Sequence, residues 1–195
     1  MVGISLRRIA LAFSPIDTRR LRVRSFVPED WPAVYAYMSD AAVTHYLEEG
    51  PLSEEQTREF VTRNAGDEAR ALALVLRAED RLIGHLVFHP WFVPRTYEIG
   101  WALHPAYQGR GYAAEGARAL LGYSFETLKL HRVIATCQPE NTASYRVMGK
   151  VGFRQEGLFR QCLPRPDGTW WDECFFALLE DEWGSTDAPA NQRPE

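Results

Sequence analysis

Three apolar runs lie end to end between residues 71 and 105, ALALVLRAED, RLIGHLVFHPWF and TYEIGWALHP, with connections too short to hold a helix. Consecutive strands joined so closely are most simply antiparallel neighbours. The third run ends at Pro105, and the chain then reads AYQGRGYAAEG (106–116). Behind it, Ala113, Ala117, Leu120, Leu121, Phe125 and Leu128 fall at helical spacing and predict a helix of about four turns, buried along one stripe. An antiparallel meander that feeds a glycine-rich helix start argues against a doubly wound sheet, which needs a helix between successive strands.

The flanks complete the order. RLRVRSF (20–26) alternates in period 2 and predicts a half-buried strand, whereas PEDWPAVYAYMSD (28–40) and SEEQTREFVTRN (53–64) predict two helices joined by the loop HYLEEGPL. Trp31, Val34 or Tyr35, and Met38 sit at helical spacing in the first, and Ser53 caps the second. After the glycine-rich helix come a strand (132–138), a helix around NTASYRVMGKV, and a hairpin of FRQEGLFRQCL and TWWDECFFALL turning at PRPDG. This is an α+β order with a mixed, mostly antiparallel sheet, and only the strand-helix-strand crossover creates a parallel pair. Residues 17–183 form one domain, residues 1–16 an extension, and residues 184–195 a polar, proline-bearing tail.

Of the 195 residues, 46% are hydrophobic, enough for a sizeable single core. The net charge of -4 argues against nucleic acid, which calls for a basic face or tail. Cys137, Cys162 and Cys174 are odd in number and unclustered, so the expectation is a reduced, cytoplasmic protein. The apolar run Ile9 to Phe13 behind the paired Arg7 and Arg8 is shorter than the ~7 to 15 residues of a secretory core, and no stretch approaches the ~20 apolar residues of a membrane-spanning helix.

Gly109 and Gly111 let backbone approach a ligand closely, and the amides of Arg110 to Ala113 are unpaired donors at a helix N-terminus, where the dipole favours an anion. A pyrophosphate fits there, and so does an ordinary tight turn with no ligand. Gly109-x-Gly111-x-x-Ala114 also satisfies a dinucleotide fingerprint. Its context disagrees: a meander precedes it, and the next strand ends in Gln138-Pro139 instead of an acidic residue. A Walker loop is excluded because no Gly-Lys-Ser/Thr follows.

Gln108-x-x-Gly111-x-Ala113 resembles the acetyl-CoA loop of the GNAT superfamily of N-acetyltransferases. The likeness continues through Thr18-x-Arg20-Leu21-x-Val23-Arg24, Glu98-Ile99-Gly100-Trp101, Glu140-Asn141-x-x-Ser144 and Lys150-x-Gly152-Phe153, which resemble the branch that acetylates ribosomal-protein N-termini. The resemblance implies that the strand before the loop and the parallel strand after its helix splay apart, and that the pantetheine arm of acetyl-CoA enters between them like an added strand. Trp101, Ala102 and Leu103 would then pair with pantetheine and Gln108, Gly109, Arg110, Gly111, Tyr112 and Ala113 cradle the pyrophosphate. A backbone N–H of the same strand would stabilise the oxyanion.

Transfer to an amine needs a neutral nitrogen, and a lysine with pKa ~10.4 needs a base more than an α-amino group at ~7.7 to 8.0. Alternation puts Glu98, Gly100 and Ala102 on a small, polar face opposite Tyr97, Ile99, Trp101 and Leu103, which makes Glu98 the candidate base. An exposed or arginine-paired strand carboxylate is the bland alternative. Asn141 reads as a helix N-cap, and the resemblance adds contact with pantetheine or the leaving group. Ser144, on the same face one turn later, is the candidate donor to the departing thiolate. Many family members carry a tyrosine for this purpose four residues before the Gly-Phe pair, and here that position is Met148.

His85 and His89, ~13 Å apart along one strand, cannot share a metal, so no metal site is expected. They read as packing or surface histidines, Trp91, Trp170 and Trp171 as core or hairpin packing, and Arg154 and Arg160 as a solvated face. Two functions remain: an acetyl-CoA-dependent transferase acting on a protein N-terminus or a small amine, or a CoA-binding sensor or interaction module that has lost its chemistry, which Met148 motivates. The loops at 45–52 and 163–171 would border the acceptor, with Glu48 and Glu49 suited to a cation. A homodimer is expected by family analogy only.

Overall fold

A computed structural model describes residues 13–184 apart from residues 48, 67, 68 and 166. The tail expected from 184 onward therefore lies almost wholly outside the described residues, as does most of the N-terminal extension. Eight strands form one sheet, β1 (Ile16–Asp17), β2 (Leu21–Arg24), β3 (Ala71–Leu76), β4 (Arg81–Pro90), β5 (Thr96–Leu103), β6 (Arg132–Cys137), β7 (Arg154–Pro164) and β8 (Trp170–Leu179). Their spatial order is β1-β2-β3-β4-β5-β6-β8-β7, antiparallel throughout except for the parallel pair β5–β6. The mixed α+β sheet is the one expected.

Helices cover both faces. α1 (Trp31–Met38), the single turn α2 (Ala41–Thr44) and α3 (Glu54–Arg63) precede β3, α4 (Tyr112–Gly122) links β5 to β6, and α5 (Thr142–Val151) follows β6. Leu72, Leu74, Leu86, Ile99 and Leu103 bury against Ala117, Leu120 and Leu121 of α4 and Met148 and Val151 of α5. On the other face Ala71, Ala73, Val75 and Ala102 bury against Val34, Tyr37 and Met38 of α1 and Val61 of α3. Small residues there let the helices sit close to the sheet.

Local chemistry starts these helices, as the sequence predicts for Ser53, with differences in detail. Ser53 and Gln56 cap each other at the start of α3. Asp30 is buried ahead of α1 because Arg24 donates to both its oxygens at 2.7 and 2.8 Å and the Val27 N–H adds a third bond. Val34 and Met38 point inward and Tyr35 is exposed, resolving the ambiguity in the periodicity, while Tyr37 is fully buried. The four-turn helix expected from 112 changes at Tyr123–Thr127 into a π-helical turn, with Leu128 N–H bonded to Tyr123 O. Trp183 stacks on Phe125 beside this turn and donates to Glu126 at 2.9 Å.

Strand β1 starts one residue before the expected domain boundary, and Phe13 packs edge-on against Tyr123. These residues lie against the body of the domain.

Gly84 sits where β4 crosses closest to β5. A Cβ there would lie 2.4 Å from Ala102 O and 2.9 Å from Leu103 Cα, both backbone atoms that cannot rotate away. Gly84→Ala should therefore destabilise the fold by about 1–3 kcal/mol through overpacking, read as a lower urea midpoint. A change within ~0.5 kcal/mol, the usual range of a harmless surface substitution, would contradict this close contact.

Candidate active site

β5 pairs with β4 along Tyr97 to Leu103 but with β6 only through Thr96–Arg132, Tyr97–Val133 and Glu98–Ile134. Beyond Glu98 and Ile134 the two parallel strands continue, to Leu103 and Cys137, without pairing each other. Their facing edges thus open a wedge with backbone on both sides. Each strand is held from behind, β5 by β4 and β6 by β8, which pairs as far as Cys137–Cys174. The opening keeps its shape because the unpaired edges belong to strands anchored on their other sides.

The glycine loop stands at the end of β5. A 3₁₀ turn at Pro105–Tyr107 is capped by His104, whose Nδ1 accepts from Ala106 N–H, so this histidine has a local structural use. Gln108 turns back and donates to Leu103 O at 2.9 Å, joining loop to strand. Gly109 and Gly111 have φ of 72° and 81°, and Gly111 is the N-cap of α4. With no side-chain cap at Gly111, the first amides of α4 face outward as donors. Arg110 and Gly111 are exposed, and Tyr112 and Ala113 are half-buried.

The loop is braced from the other end of the chain. Glu115, in the first turn of α4, accepts from Thr18 Oγ1 at 2.6 Å, Arg20 N–H at 2.9 Å and Arg20 Nε at 2.6 Å. The same guanidinium donates to Arg110 O and lies 4.4 Å over the Tyr112 ring. Burial alone would push the Glu115 carboxyl up, but the bonds from Thr18 and Arg20 outweigh it and hold its pKa below the ordinary value. The Thr-x-Arg motif carried the family likeness without a role, and this brace supplies one. Sequence offered no sign of its partner, since Glu115 lies 95 residues from Arg20.

Glu98 occupies the last paired position before the wedge opens. Its side chain is about a quarter exposed, and His89 Nε2 lies 3.8 Å from its Oε2. Burial holds the His89 pKa down, with the Arg70 guanidinium adding to the effect, so the ring is neutral near pH 7 and the pair is not a strong salt bridge. Register puts His85, His89, Glu98 and Ala102 on one face. His85 is buried, takes a 2.8 Å hydrogen bond with Tyr37 OH, and is driven down to about 4 by desolvation, which fits a packing residue and not a base.

Across the wedge, Asn141 caps α5, its Oδ1 accepting Ser144 N–H at 3.1 Å. This is the bland reading of Asn141, realised. Ser144 is half-buried on the first turn, and Met148 is buried in the core. Tyr145 donates its hydroxyl to Gln155 Oε1 and packs its ring on Phe176, away from the position Met148 holds.

The cysteines, scattered in sequence, are partly gathered by antiparallel pairing: Cys137 faces Cys174 directly. Both are free and buried, and desolvation pushes Cys137 up to about 12, so it is a thiol at neutral pH. Of the tryptophans expected in core or hairpin packing, Trp170 is exposed on the hairpin, Trp91 is half-buried and packs against Phe92 and Phe175, and Trp171 packs against His45 and Tyr46. Of the two glutamates expected beside the acceptor, Glu48 lies outside the described residues. Arg154 and Arg160 are exposed, and Arg154 pairs with Glu182 at 2.6 Å. Among the described residues no group of three His, Cys, Asp or Glu could hold a metal, and no helix is long and apolar enough to cross a membrane.

Comparison with known proteins bears on the family and the fold. Residues 20–154 match the model of the acetyltransferase (GNAT) domain. The chain is 52% identical over 168 residues, 86% of its length and 98% of the relative's, to the uncharacterized N-acetyltransferase YnaD of Bacillus subtilis strain 168. It also superposes with a TM-score of 0.84, at 50% identity, on the crystal structure of a GNAT-family acetyltransferase from Bacillus anthracis, covering 87% of this chain and all of that one. A more distant likeness, 31% over 85 residues, joins 44% of this chain to 43% of the [ribosomal protein uS5]-alanine N-acetyltransferase of Escherichia coli K12.

The brace under the glycine loop has a pH signature. A carboxyl whose folded pKa is depressed contributes stability above its unfolded pKa and loses it as pH falls through the folded value. Glu115→Gln should cost about 1 kcal/mol at pH 7, and the gap to the wild type should close as pH falls below the ordinary glutamate value of ~4.3. Urea unfolding across that range measures it. A gap that stays constant with pH would contradict a charged Glu115 as the anchor.

Proposed function

The chain belongs to the GNAT acetyltransferase family, and from that premise we propose that it moves the acetyl group of acetyl-CoA directly to a primary amine, with Glu98 as the base. The observation that carries the reading is the end of β5–β6 pairing at Glu98–Ile134. A carboxylate stands at the mouth of a wedge whose two edges are unpaired backbone, the arrangement an extended pantetheine arm needs in order to add as a strand.

The residues present fit the donor. Gly109 and Gly111 adopt conformations that side chains resist, and the first amides of α4 with the helix dipole suit a pyrophosphate. Gln108, Arg110, Tyr112 and Ala113 would complete that grip, and the backbone of Trp101, Ala102 and Leu103 would line pantetheine. Bound there, acetyl-CoA supplies an activated thioester, whose C–S bond breaks as a C–N bond forms to the amine.

The protein's own groups handle protons. Glu98 takes the proton that keeps the incoming amine an ammonium, directly or through one water. A β5 backbone N–H aimed into the wedge stabilises the oxyanion. Asn141 holds the start of α5 so that Ser144 faces the leaving sulfur, and Ser144 or water returns a proton to the thiolate. Met148, buried and without a hydroxyl, takes no part. The ribosomal-protein branch is supported by the four sequence elements outside the glycine loop and by the uS5-alanine enzyme likeness, and makes a protein N-terminus one acceptor to test.

Glu98→Gln should lower kcat/KM by about 10²-fold or more where the amine is protonated, and by less as pH approaches the amine pKa. Release of CoA thiol, followed from about pH 6 to 9, gives the profile. A parallel profile for the two proteins would remove Glu98 as the base. Acetyl-CoA binding with no thiol release across a broad amine and peptide panel would favour a CoA-binding module instead.

A further inference from the structure

The face that carries Glu98 is not uniform. Under α1 and α3 its buried cluster draws on β3, β4 and β5 and includes no residue of β6, β7 or β8. On that second half, register continues Glu98 through Ile134 to Ala177, and the next residues of β8 on this face are Phe175, Glu173 and Trp171. Phe159 of β7, paired with Glu173, shares the face.

Here the side chains are aromatic. Trp91, just past β4, lies 5.6 Å from Phe175, and Phe175 lies 5.0 Å from Phe159, edge to face. The three rings form a shelf that starts beside the β4–β5 hairpin bearing Glu98 and crosses to β7. Ile134 and Ala177 are almost completely buried beneath it, whereas Phe159 is half exposed at 51%. At the far end Trp171 meets His45 and Tyr46, centroids 6.0 and 6.2 Å away, so the segment after α2 bounds the shelf.

Among the described residues, register places two carboxylates of β5 and β8 on this face, Glu98 and Glu173, while Glu49 is exposed on the segment after α2. Cations lie along the same face, Arg132 paired with Glu156 and Arg165 4.6 Å over the Trp171 ring. A polycation would need several carboxylates spaced along its length. A monoamine needs one at its nitrogen and an apolar surface for the rest.

We infer that the acceptor is a primary monoamine carrying an aromatic ring, the ring lying on the Trp91–Phe175–Phe159 shelf and the ammonium directed to Glu98. This rests on the acetyl-transfer reading above. Two sources share that chemistry, an arylalkylamine and a peptide whose first residue is aromatic.

Purified full-length protein with acetyl-CoA, assayed for thiol release, tests it. The acceptors are 2-phenylethylamine, propylamine, spermidine, and two peptides differing only in an N-terminal Phe or Ala. The ring-bearing member of each ring-bearing and ringless pair that reacts is expected to win by about 10- to 100-fold in kcat/KM, the discrimination an apolar surface supplies. Which pair reacts identifies the source. Phe175→Leu should cut that preference about tenfold by raising KM for the ring amine more than for its ringless counterpart, and Phe159→Ser, at a half-exposed site, should cut it without risk to folding. Equal rates within both pairs, or spermidine as the best acceptor, overturn the inference and leave acetyl transfer standing. Calorimetric binding of acetyl-CoA without turnover of any of the five overturns the inference, while no binding at millimolar acetyl-CoA overturns the transfer reading itself.

Discussion

Everything at the site follows from a parallel strand pair that stops pairing halfway. β5 and β6 hold three register pairs and then part, and what prevents collapse of the opening is antiparallel support on each outer side, from β4 and β8. Unpaired backbone donors and acceptors inside a sheet are costly unless something answers them. A ligand that presents amide groups at strand spacing answers them best. The wedge is therefore an unpaired interior edge of the sheet and is suited to an extended arm.

The two faces of the sheet divide the labour around this wedge. On one, leucine-rich packing of α4 and α5 holds the glycine loop and the Asn141 cap in fixed relation to the strand ends. On the other, small residues under α1 and α3 give way to a strip containing His89, Glu98 and the aromatic shelf. The brace from Arg20 and Thr18 to Glu115 ties the turn between β1 and β2 to the first turn of α4. A local helix terminus thereby becomes a part of the whole domain, so the stability of the fold and the geometry of the loop are linked.

Order and periodicity made the fold readable in advance. The meander of 71–103, the single crossover and the hairpin at PRPDG each follow from local patterns, and the alternation of β5 correctly separated Glu98 and Ala102 from Ile99 and Leu103. What remained illegible depends on pairing across long separations. Glu115 carries no mark of Arg20, Cys137 none of Cys174, and Trp91 none of Phe175. Trp91 was expected to be packing and Phe175 and Phe159 carried no reading; strand register and ring contacts together reveal that they share a face with Glu98. The π-helical turn at Tyr123–Thr127 is invisible for a different reason, since it shares the apolar stripe of the α-helix it extends.

The central claim is that the opened edges of β5 and β6 receive the donor's pantetheine arm. Backbone hydrogen–deuterium exchange of the full chain, with and without saturating CoA, tests it most directly. The account predicts slowed exchange concentrated in residues 99–103 and 108–113, with protection extending to 135–138. Bound CoA that leaves those segments unchanged, or protects a different surface, would contradict it.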